Sequence, residues 1–152
     1  MKVPISKSDI KQLNDKLQSL YSVTDLISKK DTVEIMDKKY VLVNKIPYLF
    51  YHEDKPVPTL KLLLKNNFMK KVTVDMGAIK FVIKGADIMR PGIVEFDEVN
   101  EGDLVSVIDA TNKKPLCVGI MQVSSEHMNT NPGGKAIKNI HYIGDEIWKI
   151  DG

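Results

Sequence analysis

Apolar residues near the start of the chain recur on a helical period. Ile10, Leu13, Leu17 and Leu20 stand three or four positions apart with Lys, Asp, Asn and Gln between them, so residues 7–20 predict an amphipathic helix. Ser6 followed by Asp9 supplies a capping signal at its start. From residue 32 the pattern shortens to that of strands. Residues 32–36 and 40–44 predict a hairpin around Asp37-Lys38-Lys39, and residues 46–51 predict a third strand. Pro56 and Pro58 predict a turn. Pro58 or Thr59 then opens a short helix to about residue 66, with Leu60, Leu63 and Leu64 as its buried stripe.

The texture changes near Lys70-Lys71. Every glycine lies beyond residue 76, and the apolar segments become short. Residues 72–75, 93–96, 104–109, 116–123, 135–143 and 146–150 predict strands. Residues 77–84 predict a short helix with Ala78, Phe81 and Val82 on one face, ended by a left-handed Gly85. Phe81, Val82, Ile88 and Ile93 are expected in the core, and residues 124–128 predict a helical turn. Many short strands around one short helix imply a closed or nearly closed barrel. The fold class expected is α+β: a small α/β domain over residues 1–70, then a mixed β-barrel domain over residues 71–152.

Composition narrows the function classes. With 43% apolar residues in 152, the chain has material for a packed core. No apolar run approaches the roughly 20 residues of a membrane-spanning helix, and the first residues lack a secretory pattern. A cytoplasmic protein without membrane contact is expected. Cys117 is the single cysteine, so it forms no intramolecular disulfide, and the run Leu116-Cys117-Val118-Gly119-Ile120 marks it as core. His52, His127 and His141 have no metal-ligand spacing, and no nucleotide-binding glycine loop or serine–histidine–acid arrangement is present. No catalytic residue, metal or cofactor is expected. Net charge is +2, unevenly spread: residues 1–70 hold 13 lysines against 8 acids, and residues 71–152 hold 9 basic residues against 12 acids. Five of those acids are Glu95, Asp97, Glu98, Glu101 and Asp103. A polyanion on the second half must therefore meet a local basic patch.

The stretch from Val74 to Ile93 carries the decisive pattern: Asp75-x-Gly77-Ala78, an apolar helix face, Gly85-Ala86, an apolar residue, then Pro91-Gly92-Ile93. Asn100-Glu101-Gly102-Asp103-Leu104-Val105, Leu116-Cys117-Val118-Gly119 and Gly134-Lys135-Ala136 follow in order. Together they resemble a PUA domain over about residues 71–150. Gly77-Ala78-Ile79-Lys80-Phe81-Val82, Ile88-Met89-x-Pro91-Gly92, and Asn139-Ile140-His141-Tyr142 with Trp148 further resemble the malignant-T-cell-amplified-sequence proteins and their relative ligatin. That resemblance implies a pre-PUA domain over residues 1–70. It also implies RNA binding without bond chemistry, at the small ribosomal subunit in translation initiation or recycling. The RNA implied is a tRNA acceptor end or small-subunit rRNA, and a density-regulated-protein-like partner is implied with it.

Residue chemistry supports an anion site independently. Gly77 and Gly85 bracket the predicted helix and let a phosphate or sugar approach the backbone. Lys80 and Lys84 share a helix face. Arg90, the only arginine, has a planar fork suited to phosphate or a base. Lys135 follows the exposed turn Pro132-Gly133-Gly134. With Ala78, Ala86 and Gly92 from the PUA pattern, these form the candidate RNA site. Plainer readings stand beside it: turn and cap glycines, a solvated lysine face, and Arg90 paired with Asp87 or an acid of the 95–103 cluster. His141 reads as structural, Trp148 as core or base-stacking, and Tyr48, Tyr51 and His52 as a half-buried strand face or a protein-binding surface. The competing functions are an accessory subunit of an RNA-modification complex and a protein adaptor whose barrel no longer binds RNA.

Overall fold

The computed structural model describes residues 1–151. The helical period at the start becomes α1 (Lys7–Tyr21). Ser6 Oγ accepts the Asp9 N–H at 3.1 Å, as the cap signal predicts. Ser22, left-handed at φ 58°, ends the helix by donating its N–H to the Gln18 carbonyl. Leu13 and Leu17 are buried against an antiparallel sheet of β1 (Lys2–Pro4), β2 (Val33–Met36), β3 (Tyr40–Val43), β4 (Ile46–His52) and β5 (Lys55–Pro58), paired in that order. The two-residue loops Asp37-Lys38, Asn44-Lys45 and Glu53-Asp54 all have positive φ, the conformation that tight hairpins require.

Two expectations fail in this half. Pro56 and Pro58 do not make a turn; they lie in β5, opposite Tyr51 and Leu49. An edge strand tolerates prolines because its outer row of N–H groups has no strand to meet. In α2 (Leu60–Lys65), Leu60 and Leu63 are buried as expected, but Leu62 is buried in place of Leu64, which is exposed. The helix is covered on two sides. Leu62 joins the core under α1, while Leu60 and Leu63 turn toward Val118 of the second sheet.

The second sheet holds β6 (Lys71–Val74), β7 (Ile88–Met89), β8 (Ile93–Phe96), β9 (Leu104–Asp109), β10 (Pro115–Met121) and β11 (Lys135–Tyr142) in the order β7-β11-β10-β9-β6-β8. Its two edge strands, β7 and β8, are consecutive in the chain and joined only by the 3-10 turn Arg90–Gly92. The sheet therefore curls until its edges meet at that seam. Val82 of α3 (Ile79–Val82) and Met128 of α4 (Ser125–Thr130) enter its apolar interior with Val72, Val105 and Ile137. Cys117 is fully buried there, and burial pushes its thiol up, well above the usual range. The strand predicted over residues 146–150 is instead a chain of turns. The Asp145 carboxylate accepts the N–H groups of Tyr142 and Trp148 and winds the chain there. No helix among the described residues is long and apolar enough to cross a membrane.

The two sheets meet over Phe50, Val57, Leu60, Leu63, Met69 and Val118, with Trp148 packed against them. His141 of β11 stands in this joint, fully buried. Its Nε2 accepts the Leu60 N–H at 3.0 Å, and its Nδ1 lies 2.9 Å from Asp145 Oδ2. An accepting Nε2 carries no proton, so the proton sits on Nδ1 and is donated to the carboxylate.

Gly119 has no room for a side chain. It follows the register shift between Val118 and Gly119 in the pairing of β10 with β11. A β-carbon there would lie 2.3 Å from Ile137 Cγ2 and 2.9 Å from the Lys138 carbonyl oxygen. Gly119→Ala is expected to cost roughly 2–3 kcal/mol in urea unfolding, because the backbone contact cannot yield as a side chain can. A loss under about 0.5 kcal/mol would mean that the bulge absorbs the methyl group.

Candidate nucleic-acid interface

The glycine-rich segment is built as a frame of backbone bonds. The Asp75 N–H donates to the Gly92 carbonyl at 2.9 Å, and Asp75 Oδ1 accepts the Ala78 N–H at 2.9 Å. Gly77 sits inside that turn, and a β-carbon at Gly92 would lie 3.4 Å from Ala78 Cβ. The helix that follows is one turn, shorter than predicted. Gly85 then reverses the chain at φ +94°, close enough to the Tyr142 ring that a β-carbon would sit 2.9 Å from its Cε1.

Asn139 of β11 holds the frame from behind. Its Nδ2 donates to the carbonyls of Val82 at 3.1 Å and Ala86 at 3.0 Å, and its backbone N–H donates to Asp87 Oδ1 at 2.8 Å. Lys135 Nζ lies 2.8 Å from Asp87 Oδ2, so Lys135, rather than Arg90, is the partner of Asp87. Burial alone would raise the Asp87 carboxyl. The Lys135 and Asn139 hydrogen bonds, with the charges of Lys135 and Lys138, outweigh it and hold the group below the usual carboxylate range.

Arg90 lies at the barrel seam. Its N–H donates to the Gly134 carbonyl at 2.8 Å, its Nε to the Met128 carbonyl at 3.0 Å and its Nη1 to the Ile93 carbonyl at 3.0 Å. Its guanidinium stacks 5.4 Å from the Phe96 ring centroid. Most of the fork therefore ties β7, β8 and α4 together, and no acid of the 95–103 cluster pairs with it. The Gly134-Lys135 turn is drawn to the 87–90 segment by these bonds and by the pairing of Lys135 with Met89. Residues from two distant parts of the sequence thus meet in one place.

Outside this frame the surface is basic and apolar together. Lys80 and Lys84 are exposed. Phe81, expected in the core, is 57% exposed. A single-turn helix inserts only Val82 fully, with Ile79 partly buried beside it, and turns Phe81 outward. Lys80 Nζ lies 5.2 Å from the Phe81 ring centroid. Met76, Ile83 and Met89 are exposed on the same segment. Sequence reading misses these groups because their apolar character points inward. The arrangement offers lysines for phosphates, backbone turns for close approach and an aromatic face for a base.

A PUA domain family model matches residues 70–143, and a domain of unknown function (DUF1947) matches residues 3–66. The chain is 48% identical to an uncharacterised protein of Methanocaldococcus jannaschii, over 97% of this chain and 95% of that one. It is 34% identical to malignant T-cell-amplified sequence 1 of Danio rerio, over 99% of this chain and 89% of that one. This chain belongs to the malignant T-cell-amplified sequence family. The same family includes translation machinery-associated protein 20 of Schizosaccharomyces pombe, 32% identical over 96% of this chain and 90% of that one. The solved structure of a hypothetical protein from Pyrococcus horikoshii OT3 superposes with a TM-score of 0.88 at 32% identity, covering 100% of both chains. That archaeal protein thus shares the overall fold over its length.

Proposed function

We propose that this chain is a non-catalytic RNA-binding protein of the translation machinery, working in the cytoplasm at the small ribosomal subunit. Residues 1–70 form its pre-PUA domain and residues 71–152 its PUA domain. The RNA is a tRNA acceptor end or small-subunit rRNA. The observation that carries the reading is the exposed Phe81 flanked by Lys80 and Lys84, beside the backbone turns at Gly77, Gly85 and Gly134.

In this reading an unstacked 3′ end lays a base on the Phe81 ring. Lys80 and Lys84 receive its phosphates, and the turns at Gly77 and Gly85 let the RNA backbone approach closely. Lys135 and Arg90 hold the surface from beneath, and Gly92 closes the turn under Ala78. Positioning is the whole mechanism, and a density-regulated-protein-like partner would act beside it. The family membership and the name of the fission-yeast relative support the translation setting.

The test compares intact tRNA with tRNA lacking its 3′ terminal nucleotides, each titrated against the wild-type chain and Phe81→Ala. Loss of the 3′ end is expected to weaken wild-type binding about tenfold, and Phe81→Ala is expected to remove most of that difference, since one stacked base contributes about 1–3 kcal/mol. Equal affinity for both RNAs would contradict the 3′-end reading. No salt-sensitive binding to tRNA or to small subunits would favour a protein adaptor.

A further inference from the structure

We propose that the groove between α1 and the segment returning along it is a second RNA-binding site, taking the phosphodiester backbone of the same RNA. This inference rests on the RNA-binding reading above and adds a site in the other half of the chain. The groove measures about 1010 Å³. Its shape follows from two anchors. The Ile5 N–H donates to the Val33 carbonyl at 3.2 Å. Further along, the Asn14 side chain donates to the Ile27 carbonyl at 2.9 Å and accepts the Ile27 N–H at 3.1 Å.

Those anchors lay residues 28–32 back along the first turns of α1. Lys7 and Lys11, one turn apart on the helix, line the groove together with Lys29 and Lys30, which the two anchors set opposite them. Beyond Asn14 the lining turns acidic, with Asp15 and Asp25. The other end also carries Asp9 and Asp31, the latter held by the Ser28 N–H and the Asn44 side chain, so its four lysines outnumber its two carboxylates and an anion is favoured there. Among the described residues, no carboxylate or hydrogen-bond partner engages any of the four ammonium groups. Lys45, Lys70, Lys113 and Lys135, by contrast, each lie within 4.0 Å of a carboxylate oxygen. Four unpaired cations along one groove favour a polyanion, and the release of its counterions drives the binding.

The lining also favours nucleic acid over a protein partner. It contains no aromatic residue, no methionine and no arginine, the side chains that anchor protein interfaces. Lysine suits the role, since it meets phosphates as a point charge on a flexible stem.

The test measures binding of the full chain to intact tRNA and to purified small ribosomal subunits across a salt series. Replacing Lys7, Lys11, Lys29 and Lys30 by glutamine is expected to weaken at least one of the two complexes tenfold or more. The slope of log affinity against log salt should fall by about 2–3, at about 0.7 for each phosphate that is no longer neutralised. The same four positions changed to arginine should restore binding, which separates charge from fold damage. Unchanged affinity and slope for both RNAs would overturn the inference. If Lys80→Glu with Lys84→Glu abolishes binding while the groove variant does not, the proposed function stands and the groove is excluded. The opposite result keeps the groove and removes the PUA surface.

Discussion

Replacing His141 with alanine is expected to lower the unfolding free energy by about 3–5 kcal/mol, the cost of emptying a buried ring site. The side chain has no solvent exposure and does three things at once. It fills the joint edge-on to Phe50, with ring centroids 5.4 Å apart. It receives the Leu60 N–H, one of the amides that α2 cannot satisfy within itself. It also donates to Asp145, whose carboxylate folds the final turns. His141→Phe keeps most of the volume but orphans the Leu60 amide, so roughly 1–3 kcal/mol should be lost. Urea unfolding monitored by the single Trp148, which packs in the same joint, reads both values. A change below about 1 kcal/mol for the alanine variant would mean that the two sheets are not coupled through this residue.

The same joint sets an acid limit. Burial would raise the Asp145 carboxyl, but the bonds from His141 and from the Trp148 and Tyr142 amides prevail and lower it from its ordinary 3.8. The unfolded chain therefore binds this proton at a higher pH than the folded one. The stabilisation is present above the unfolded value and is lost as pH falls through the folded one. The urea midpoint should drop between about pH 5 and pH 3, and drop less in Asp145→Asn, which starts from a lower midpoint.

The second large effect is on binding. Lys80→Glu combined with Lys84→Glu is expected to reduce affinity for intact tRNA by tenfold to a hundredfold at moderate salt. It should also lower the salt slope by about 1.4, the contribution of two single-strand phosphates. Both side chains are exposed, so the melting temperature should not move by more than a degree or two. Lys149→Glu, on the exposed turns after β11, serves as the charge control and should have little effect. Wild-type affinity in the double variant would exclude this surface as the RNA site.

What is legible in the sequence is chiefly backbone. The period of Ile10, Leu13 and Leu17 places α1, and Ser6 places its cap, because both signals are local. The glycine spacing locates the turns at Gly77, Gly85 and Gly134. Side-chain direction is less legible. Phe81 reads as core in any apolar count, yet a one-turn helix has room to bury only one residue fully. The apolar run of Ile147, Trp148 and Ile150 imitates a strand, and only the Asp145 carboxylate, bonded to two amides, shows why the chain turns there. Arg90 reads as a free phosphate fork. Its inward bonds depend on α4 lying beside the barrel seam, which no local pattern encodes. The salt bridge of Lys135 to Asp87 is hidden for the same reason.

If RNA meets this chain on the surface framed by Gly77 and Gly92, the amides there must report it. The most direct measurement is amide chemical-shift mapping of the isotope-labelled full chain, titrated with a short single-stranded RNA ending in a free 3′ hydroxyl. The largest shifts are expected at Gly77, Ala78, Phe81, Gly85, Ala86 and Gly134, saturating together at one dissociation constant. Shifts that leave these amides unmoved would contradict that placement.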